Sequence, residues 1–138
     1  MEIFLEGRLC ILWALLLLTV PLPWLGSAIV AALFHEMCHL FALYATGTPV
    51  HGLRLGLRGA RIITGPMNAG RELLCAAAGP AGSLLLLLFL RQIPRIALCA
   101  AFQGLFNLLP LYPLDGGRIL RSSQALRSQE KYLAKNRN

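Results

Sequence analysis

The sequence predicts an all-α integral membrane protein with four transmembrane helices and a short β-hairpin between the second and third. Two observations lead to this fold class. Hydrophobic residues make up 57% of the chain and charged residues only 14%, whereas a soluble domain carries about a quarter charged residues. The apolar residues also fall in runs of about 20, the length that spans a bilayer. These runs cover residues 9–25, 27–46, 72–90 and 95–114.

The positions of the Lys and Arg residues predict how these spans are oriented. When the four spans are threaded through a bilayer, every Lys and Arg except Arg91 and Arg95 falls on one side. Cytoplasmic loops carry the excess of positive charge, so both termini are expected in the cytoplasm of a multi-pass membrane protein. Membrane topology therefore explains the net charge of +7. No interleaving of aromatic and basic residues suggests a nucleic-acid surface.

The first span lies in the predicted segment 1–26 and is expected to remain as a transmembrane helix. A signal peptide needs a positive segment before its apolar run, and this chain has Glu2 and Glu6 against a single Arg8. Pro21 lies near the end of the span and favours a break in the helix.

The second span contains polar residues that a membrane helix tolerates only at a cost. The stretch His35-Glu36-Met37-Cys38-His39 is an H-E-x-x-H motif. Ionisable residues inside a membrane are functional candidates by default. Positions i and i+4 share one face of a helix, so both imidazoles can bind one zinc ion, and Glu36 can serve as general base. The motif predicts a zinc-dependent peptide hydrolase within the bilayer.

The cysteines are interpreted as reduced apolar residues. They show no paired spacing, and all of them fall within spans. Cys38 adjoins a histidine but points away from the His35–His39 face of a helix, so we do not expect it to bind the metal. The four are Cys10, Cys38, Cys75 and Cys99.

After the second span the hydrophobic pattern changes its period. Leu53, Leu55 and Leu57 alternate with other residues, and period-two alternation favours a strand. We expect an interfacial hairpin at about residues 50–64, with an irregular basic loop as the alternative. An extended substrate needs a strand edge to pair with, and the strand of these three leucines is the expected substrate-binding edge.

The fourth span ends in a sequence that cannot continue as a helix. Residues 107–117 contain two prolines and a Gly-Gly pair. A catalytic zinc takes three protein ligands and a water, and the candidates for the third ligand are Glu72, Asp115 and His51. Asp115 is favoured because the broken helix can turn its side chain inward, at the depth of the two motif histidines.

The remaining features have less specific interpretations. Asn107 either contacts the substrate backbone or braces the metal site, and a helix–helix hydrogen bond is equally consistent with the residue alone. The small residues 76–83 favour close helix packing. The tail, residues 119–138, is either a basic helix on the inner leaflet or a solvated end.

Several motifs together resemble the site-2 protease family of intramembrane zinc metalloproteases over residues 27–118. The resemblance is nearest to the stage IV sporulation protein FB branch, whose member processes pro-sigma-K. The chain departs from many relatives at Ser83, where they carry asparagine. The motifs are the H-E-x-x-H sequence with Ala42 and Gly47, Ala78-Gly79-Pro80, Asn107-Leu108-Leu109-Pro110 and Pro113-Leu114-Asp115-Gly116-Gly117.

The resemblance implies a site, a fold and a set of partners. It implies that His35, His39 and Asp115 bind zinc and that Glu36 is the catalytic base. It also implies a three-helix catalytic core, residues 27–118, that opens to the cytoplasm. The expected partners are the lipid bilayer, a membrane-tethered protein substrate of the sigma-factor or anti-sigma-factor type, and a regulatory membrane protein.

Two other function classes compete with a protease. A catalytically idle scaffold would bind partners through the same groove, but it would have no reason to keep Glu36 beside three ligand candidates. A metal transporter would need ligands stepped across the bilayer, whereas these ligands cluster at one depth.

Overall fold

The computed structural model describes residues 2–5, 15–56 and 59–136, and within them the protein is mainly helical with a small sheet. Residues 15–19 are helical and are followed by a bend at Val20. The predicted mainly helical fold with a hairpin near residues 50–64 is confirmed. The elements are β1 (Glu2–Leu5), α1 (Leu22–Ala45), β2 (Val50–Gly56), β3 (Gly59–Thr64), α2 (Ala69–Phe89), α3 (Pro94–Asn107) and α4 (Asp115–Lys135).

Two of the helices, α1 and α2, are long and apolar enough to cross a membrane. Only 22% and 39% of their most apolar stretches are buried inside the protein, whereas the core helix of a soluble protein would be mostly buried. Large apolar side chains such as Phe41 and Phe89 are 72% and 79% exposed. Four spans are not shown, because α3 has 14 residues and residues 6–14 of the first predicted span lie outside the described residues.

Helix α1 begins and ends at residues that the sequence marks clearly. Pro21 precedes its first residue and Pro23 lies in its first turn, where a proline costs no intrahelical hydrogen bond. The helix therefore starts five residues before the predicted second span. Gly47 follows its end at φ 65°, a left-handed conformation that glycine adopts without a steric penalty.

The sheet has three strands in the order β1-β2-β3. β2 and β3 form the predicted antiparallel hairpin, with Leu53 opposite Ile62. β1 pairs with β2 in parallel, with Ile3 opposite Leu53. The sequence does not predict this strand, because residues 1–26 are expected to form the first transmembrane segment. β2 is therefore the central strand of the sheet.

Glycines allow α2 to lie directly against its neighbours α1 and α3. A Cβ at Gly82 would overlap the Cys38 side chain on α1, and a Cβ at Gly104 on α3 would lie 2.9 Å from Ser83 Cβ. Small residues let membrane helices approach closely, and this packing was expected for residues 76–83. It brings the polar side chains of α1 and α2 within hydrogen-bonding distance.

The junction between α3 and α4 differs from the prediction. The predicted fourth span, residues 95–114, is helical only as far as Asn107, and α4 starts a separate helix at Asp115. A Cβ at Gly116 would overlap the Leu108 carbonyl, and one at Gly117 would lie 2.7 Å from Leu111 C. The Gly-Gly pair thus lets the first turn of α4 pack on the backbone of the preceding turn. Asp115 stands at a helix start rather than at a broken helix end.

Candidate metal centre

Three buried side chains from two distant parts of the chain converge on one point. Nε2 of His35 and Nε2 of His39 each lie 3.1 Å from Asp115 Oδ2. The two Nε2 atoms are 3.2 Å apart. These three residues form a group whose ligand atoms all lie within 4.8 Å of one another and could hold a metal ion. Helices α1 and α4 thus bring together the histidines and the favoured third ligand.

The helical spacing of the histidines sets the shape of this triangle. His35 and His39 are one turn apart on α1, with ring centroids 4.9 Å apart and ring planes at 79°. Gly79 on α2 lies beneath both rings, and a Cβ there would come within 2.6 Å of His35 Nε2 and closer still to His39. Any larger residue at this position would push one or both imidazoles out of the positions in which they face Asp115.

Each histidine makes a second hydrogen bond with its other ring nitrogen. His39 Nδ1 lies 2.7 Å from the carbonyl oxygen of Cys75. His35 Nδ1 lies 2.8 Å from Ser83 Oγ. Such outer partners fix the orientation and the tautomer of histidines that bind metals. Both partners lie on α2, so this helix holds the rings from behind.

The hydrogen bonding of His39 tests whether a cation fits this site. A carbonyl only accepts, so His39 Nδ1 carries the hydrogen, and in the neutral ring Nε2 is a bare acceptor. His39 Nε2 therefore faces the Asp115 carboxylate as one acceptor facing another, which is repulsive without a hydrogen or a cation between them. Ligands about 2.0 Å from a tetrahedral zinc lie ~3.3 Å from one another, close to the observed separations. The residues fit a zinc ion.

Asp115 is held at the first residue of α4. The free N–H groups at the start of a helix favour a negative charge there. Its second oxygen, Oδ1, lies 3.8 Å from Arg118 Nη1 one turn later. Oδ2 is thus left for the histidines, and Oδ1 faces a positive charge.

Glu36 lies beside the triangle without being one of its corners. It is half-buried on α1, and the charged neighbours of its carboxylate include His39, His35 and Asp115. It is not part of the His-His-Asp group. This position is what a general base requires, because the carboxylate is near the metal ligands and free to take a proton.

The other two candidates for the third ligand lie elsewhere. Glu72 Oε1 is 2.7 Å from Arg121 Nη2 and 3.8 Å from Arg118 Nε, and this hydrogen bond raises the pKa of Arg121. His51 is exposed on β2. Neither residue belongs to the His-His-Asp group.

Asn107 and Cys38 both have contacts away from the three residues of the centre. The Asn107 side chain donates to Gln103 O on its own helix at 3.1 Å, and no contact with the centre is among its hydrogen bonds in the described residues. Cys38 lines an apolar groove between α1 and α2, together with Phe41 and Gly82. The expectation that this cysteine points away from the histidine face agrees with its position.

The leucines of β2 do not offer the free strand edge expected of them. Leu53 pairs with Ile3 of β1 on one side and with Ile62 of β3 on the other. Leu55 is likewise paired on both sides. Leu57 lies outside the described residues. Within the described part of the sheet, the outer strands are β1 and β3.

Three residues of α2, a helix whose small residues predict close packing, contribute directly to the centre. They are Cys75 through its carbonyl, Gly79 through its missing side chain and Ser83 through its hydroxyl. Their spacing of four residues places them on one face of α2. In the sequence, the sign of this role is that small and polar residues recur every four positions in an otherwise apolar helix.

Comparisons with known proteins agree with this arrangement. No protein-family model matches the chain. A protein of Synechocystis sp. named "Putative zinc metalloprotease sll0528" is 36% identical in an alignment 122 residues long, and the coverage is 72% of this chain and 32% of that protein. The chain thus spans about a third of the length of this relative.

A solved structure gives the fold. The site-2 protease from Methanocaldococcus jannaschii superimposes with a TM-score of 0.70 at 24% sequence identity, covering 89% of this chain and 67% of that one. The chain therefore has the fold of a site-2 protease.

Proposed function

We propose that this chain is an intramembrane zinc metalloendopeptidase of the site-2 protease family. The observation that carries the proposal is the buried triangle of His35, His39 and Asp115, with Glu36 beside it. The zinc metalloprotease name of the Synechocystis relative and the shared fold support the same activity. The apolar, largely exposed faces of α1 and α2 support a location in the bilayer.

The chemistry follows from the charges of these residues. A zinc ion held by His35, His39 and Asp115 would polarise the scissile carbonyl and lower the pKa of water. Glu36 takes a proton from the attacking water and delivers it to the leaving amine. Ser83 and the Cys75 carbonyl keep the imidazoles aimed at the centre, and Arg118 balances the free oxygen of Asp115.

The substrate is proposed to bind in extended form along the sheet. A peptide bond in a helix is shielded by its own hydrogen bonds, and an extended chain needs partners for its backbone groups in a poorly hydrated site. Because β2 is paired on both sides, we place this strand addition at the outer edge of β3 (Gly59–Thr64). The leucines of β2 would then support that strand from within the sheet.

The finer parts of the proposal rest on the sequence. The motif resemblance to the stage IV sporulation protein FB branch supports membrane-tethered regulators of the sigma-factor or anti-sigma-factor type as substrates. The distribution of Lys and Arg supports cytoplasmic termini and a site that opens to the cytoplasm.

Co-expression tests this function directly. The chain is produced together with membrane-tethered sigma and anti-sigma factors, and cleavage is followed by blotting. We expect a cleaved fragment with the natural chain and none with Glu36→Gln, whose membrane level serves as the control. Equal cleavage with both chains would contradict the assignment. Binding without cleavage by the natural chain would favour the scaffold.

A further inference from the structure

Within the described residues, the Ser83 side chain makes one hydrogen bond, and its partner is His35. Its side chain is 1% exposed, and its Oγ lies 2.8 Å from His35 Nδ1. No other hydrogen bond of this hydroxyl is found among the described residues. Gly104 of α3 packs against it so closely that a Cβ there would lie 2.9 Å from Ser83 Cβ. The packing of three helices therefore holds this hydroxyl against the imidazole.

The two histidines differ in the chemistry of their outer partners. The Cys75 carbonyl only accepts, so His39 keeps its hydrogen on Nδ1 in every state of the centre. A serine hydroxyl both donates and accepts. His35 can therefore carry its hydrogen on Nδ1 and donate it to Ser83, or carry it on Nε2 and accept from Ser83.

The loaded and empty centres require different tautomers of His35. A bound cation needs a bare Nε2, so His35 Nδ1–H then donates to Ser83 Oγ. Without a cation, the triangle needs a hydrogen to separate its acceptors. His39 in its neutral form does not supply it without giving up its bond to Cys75. His35 supplies it from Nε2 to Asp115 Oδ2, 3.1 Å away, provided that Ser83 reverses its own bond.

We propose that Ser83 is a positioning residue that lets His35 exchange tautomers when the metal binds. The hydroxyl accepts from Nδ1 in the loaded centre and donates to Nδ1 in the empty one. The contact between His35 Nδ1 and Ser83 Oγ is then a hydrogen bond in both states. This inference rests on the proposed zinc site. It adds that His39 keeps one tautomer in both states, whereas His35 changes its tautomer when the metal binds.

Nitrogen NMR of the natural chain tests the exchange without any substitution. The full chain is labelled with ¹⁵N-histidine, placed in detergent micelles, and measured with one equivalent of zinc and after chelation. We expect His35 to be protonated on Nδ1 with zinc and on Nε2 without it, and His39 to be protonated on Nδ1 in both. Assignment uses His35→Gln and His39→Gln.

The outcomes separate this inference from the proposed function. If zinc binds and His35 keeps its hydrogen on one nitrogen throughout, the tautomer exchange is overturned and the zinc site stands. If the folded natural chain binds no zinc, the proposed metalloprotease is overturned together with this inference.

A pair of serine variants measures what the hydroxyl contributes. Ser83→Ala should weaken zinc binding by about 10–100-fold, the usual effect of losing an outer hydrogen bond to a metal ligand. Ser122→Ala is the matched control, because this serine is also 1% exposed and its hydroxyl has no partner among the described residues. Affinity is measured by competition with a chromophoric chelator.

The empty state gives a second readout from the same variants. Zinc-free Ser83→Ala should unfold at a lower temperature than zinc-free Ser122→Ala, because only the former leaves His35 Nδ1 without its donor. Equal affinity and equal unfolding temperature for the two variants would overturn the proposed role of Ser83.

Discussion

The metal centre and the sheet differ in what holds them together. In the centre, buried side chains of α1 and α4 and partners on α2 meet at separations of 2.7–3.2 Å. In the sheet, main-chain pairing in the order β1-β2-β3 sets the arrangement. Changes of side-chain chemistry should therefore disable the centre and leave the sheet intact, whereas changes to the backbone of a strand should affect what pairs with the sheet and leave the centre intact.

The largest expected effect is the loss of proteolysis in Glu36→Gln with zinc retained. The carboxylate lies beside the metal ligands without being one of them, so its removal stops proton transfer, an effect of about 10²–10⁴-fold. Cleavage rate and zinc content, by elemental analysis of the folded protein, are measured together. Loss of zinc equal to that of His35→Ala would instead make Glu36 a ligand.

Asp115→Ala should come next, with a strong loss of zinc. Its Oδ2 is the third corner of the triangle, whereas Glu72 pairs with Arg121 and His51 is exposed. Glu72→Ala and His51→Ala are therefore the matched controls, and both should keep full occupancy. Full zinc occupancy in Asp115→Ala, with loss of zinc in either control, would assign the third ligand to the residue changed in that control.

Gly79→Ala should lower zinc occupancy through packing alone. Its Cβ would come within 2.6 Å of His35 Nε2 and nearer to His39, and overpacking of this kind costs about 1–3 kcal/mol. Gly26→Ala is the control, because a Cβ there meets no atom within 4 Å. Zinc content and thermal unfolding of the two variants should diverge, and identical behaviour would show that the rings do not rest on Gly79.

A proline scan of β3 tests the sheet, which the opening comparison sets against the metal centre. Neighbouring residues of an edge strand point their N–H groups alternately toward the sheet and away from it. Of Ile62→Pro and Ile63→Pro, the variant that loses the outward N–H should keep the sheet and zinc but cleave substrate several-fold more slowly. If both variants cleave at the natural rate, substrate does not add to this edge.

The smallest effect is expected from the ion pair that joins α4 to α2. Arg121 is 61% exposed in its side chain and lies 2.7 Å from Glu72, and exposed ion pairs contribute about 0–1 kcal/mol. Arg121→Gln should lower the unfolding temperature slightly and leave zinc content unchanged. A large loss of zinc in this variant would mean that the pair positions Asp115 through α4.

Local pattern was enough to pair the two histidines of the centre. The i, i+4 spacing of His35 and His39 is a property of any helix, so the pairing of the imidazoles follows from the sequence. The alternation at Leu53 and Leu55 likewise predicts a strand of the hairpin, because a period of two is a property of any strand. The short parallel strand β1 left no such pattern, because four residues are too few to show a period.

The sequence by itself determined the apolar helices of this protein, the two histidines with their glutamate on one of them, and a glycine-rich turn bearing an aspartate. Only the tertiary structure decided that Asp115 begins a helix, that Gly79 and Ser83 pack against the two imidazoles, and that β2 is paired on both sides. The physical reason is that periodicity reports which face of an element a residue occupies. Which element covers that face depends on packing between residues 48 or 80 positions apart, as in the bonds of His35 to Ser83 and to Asp115.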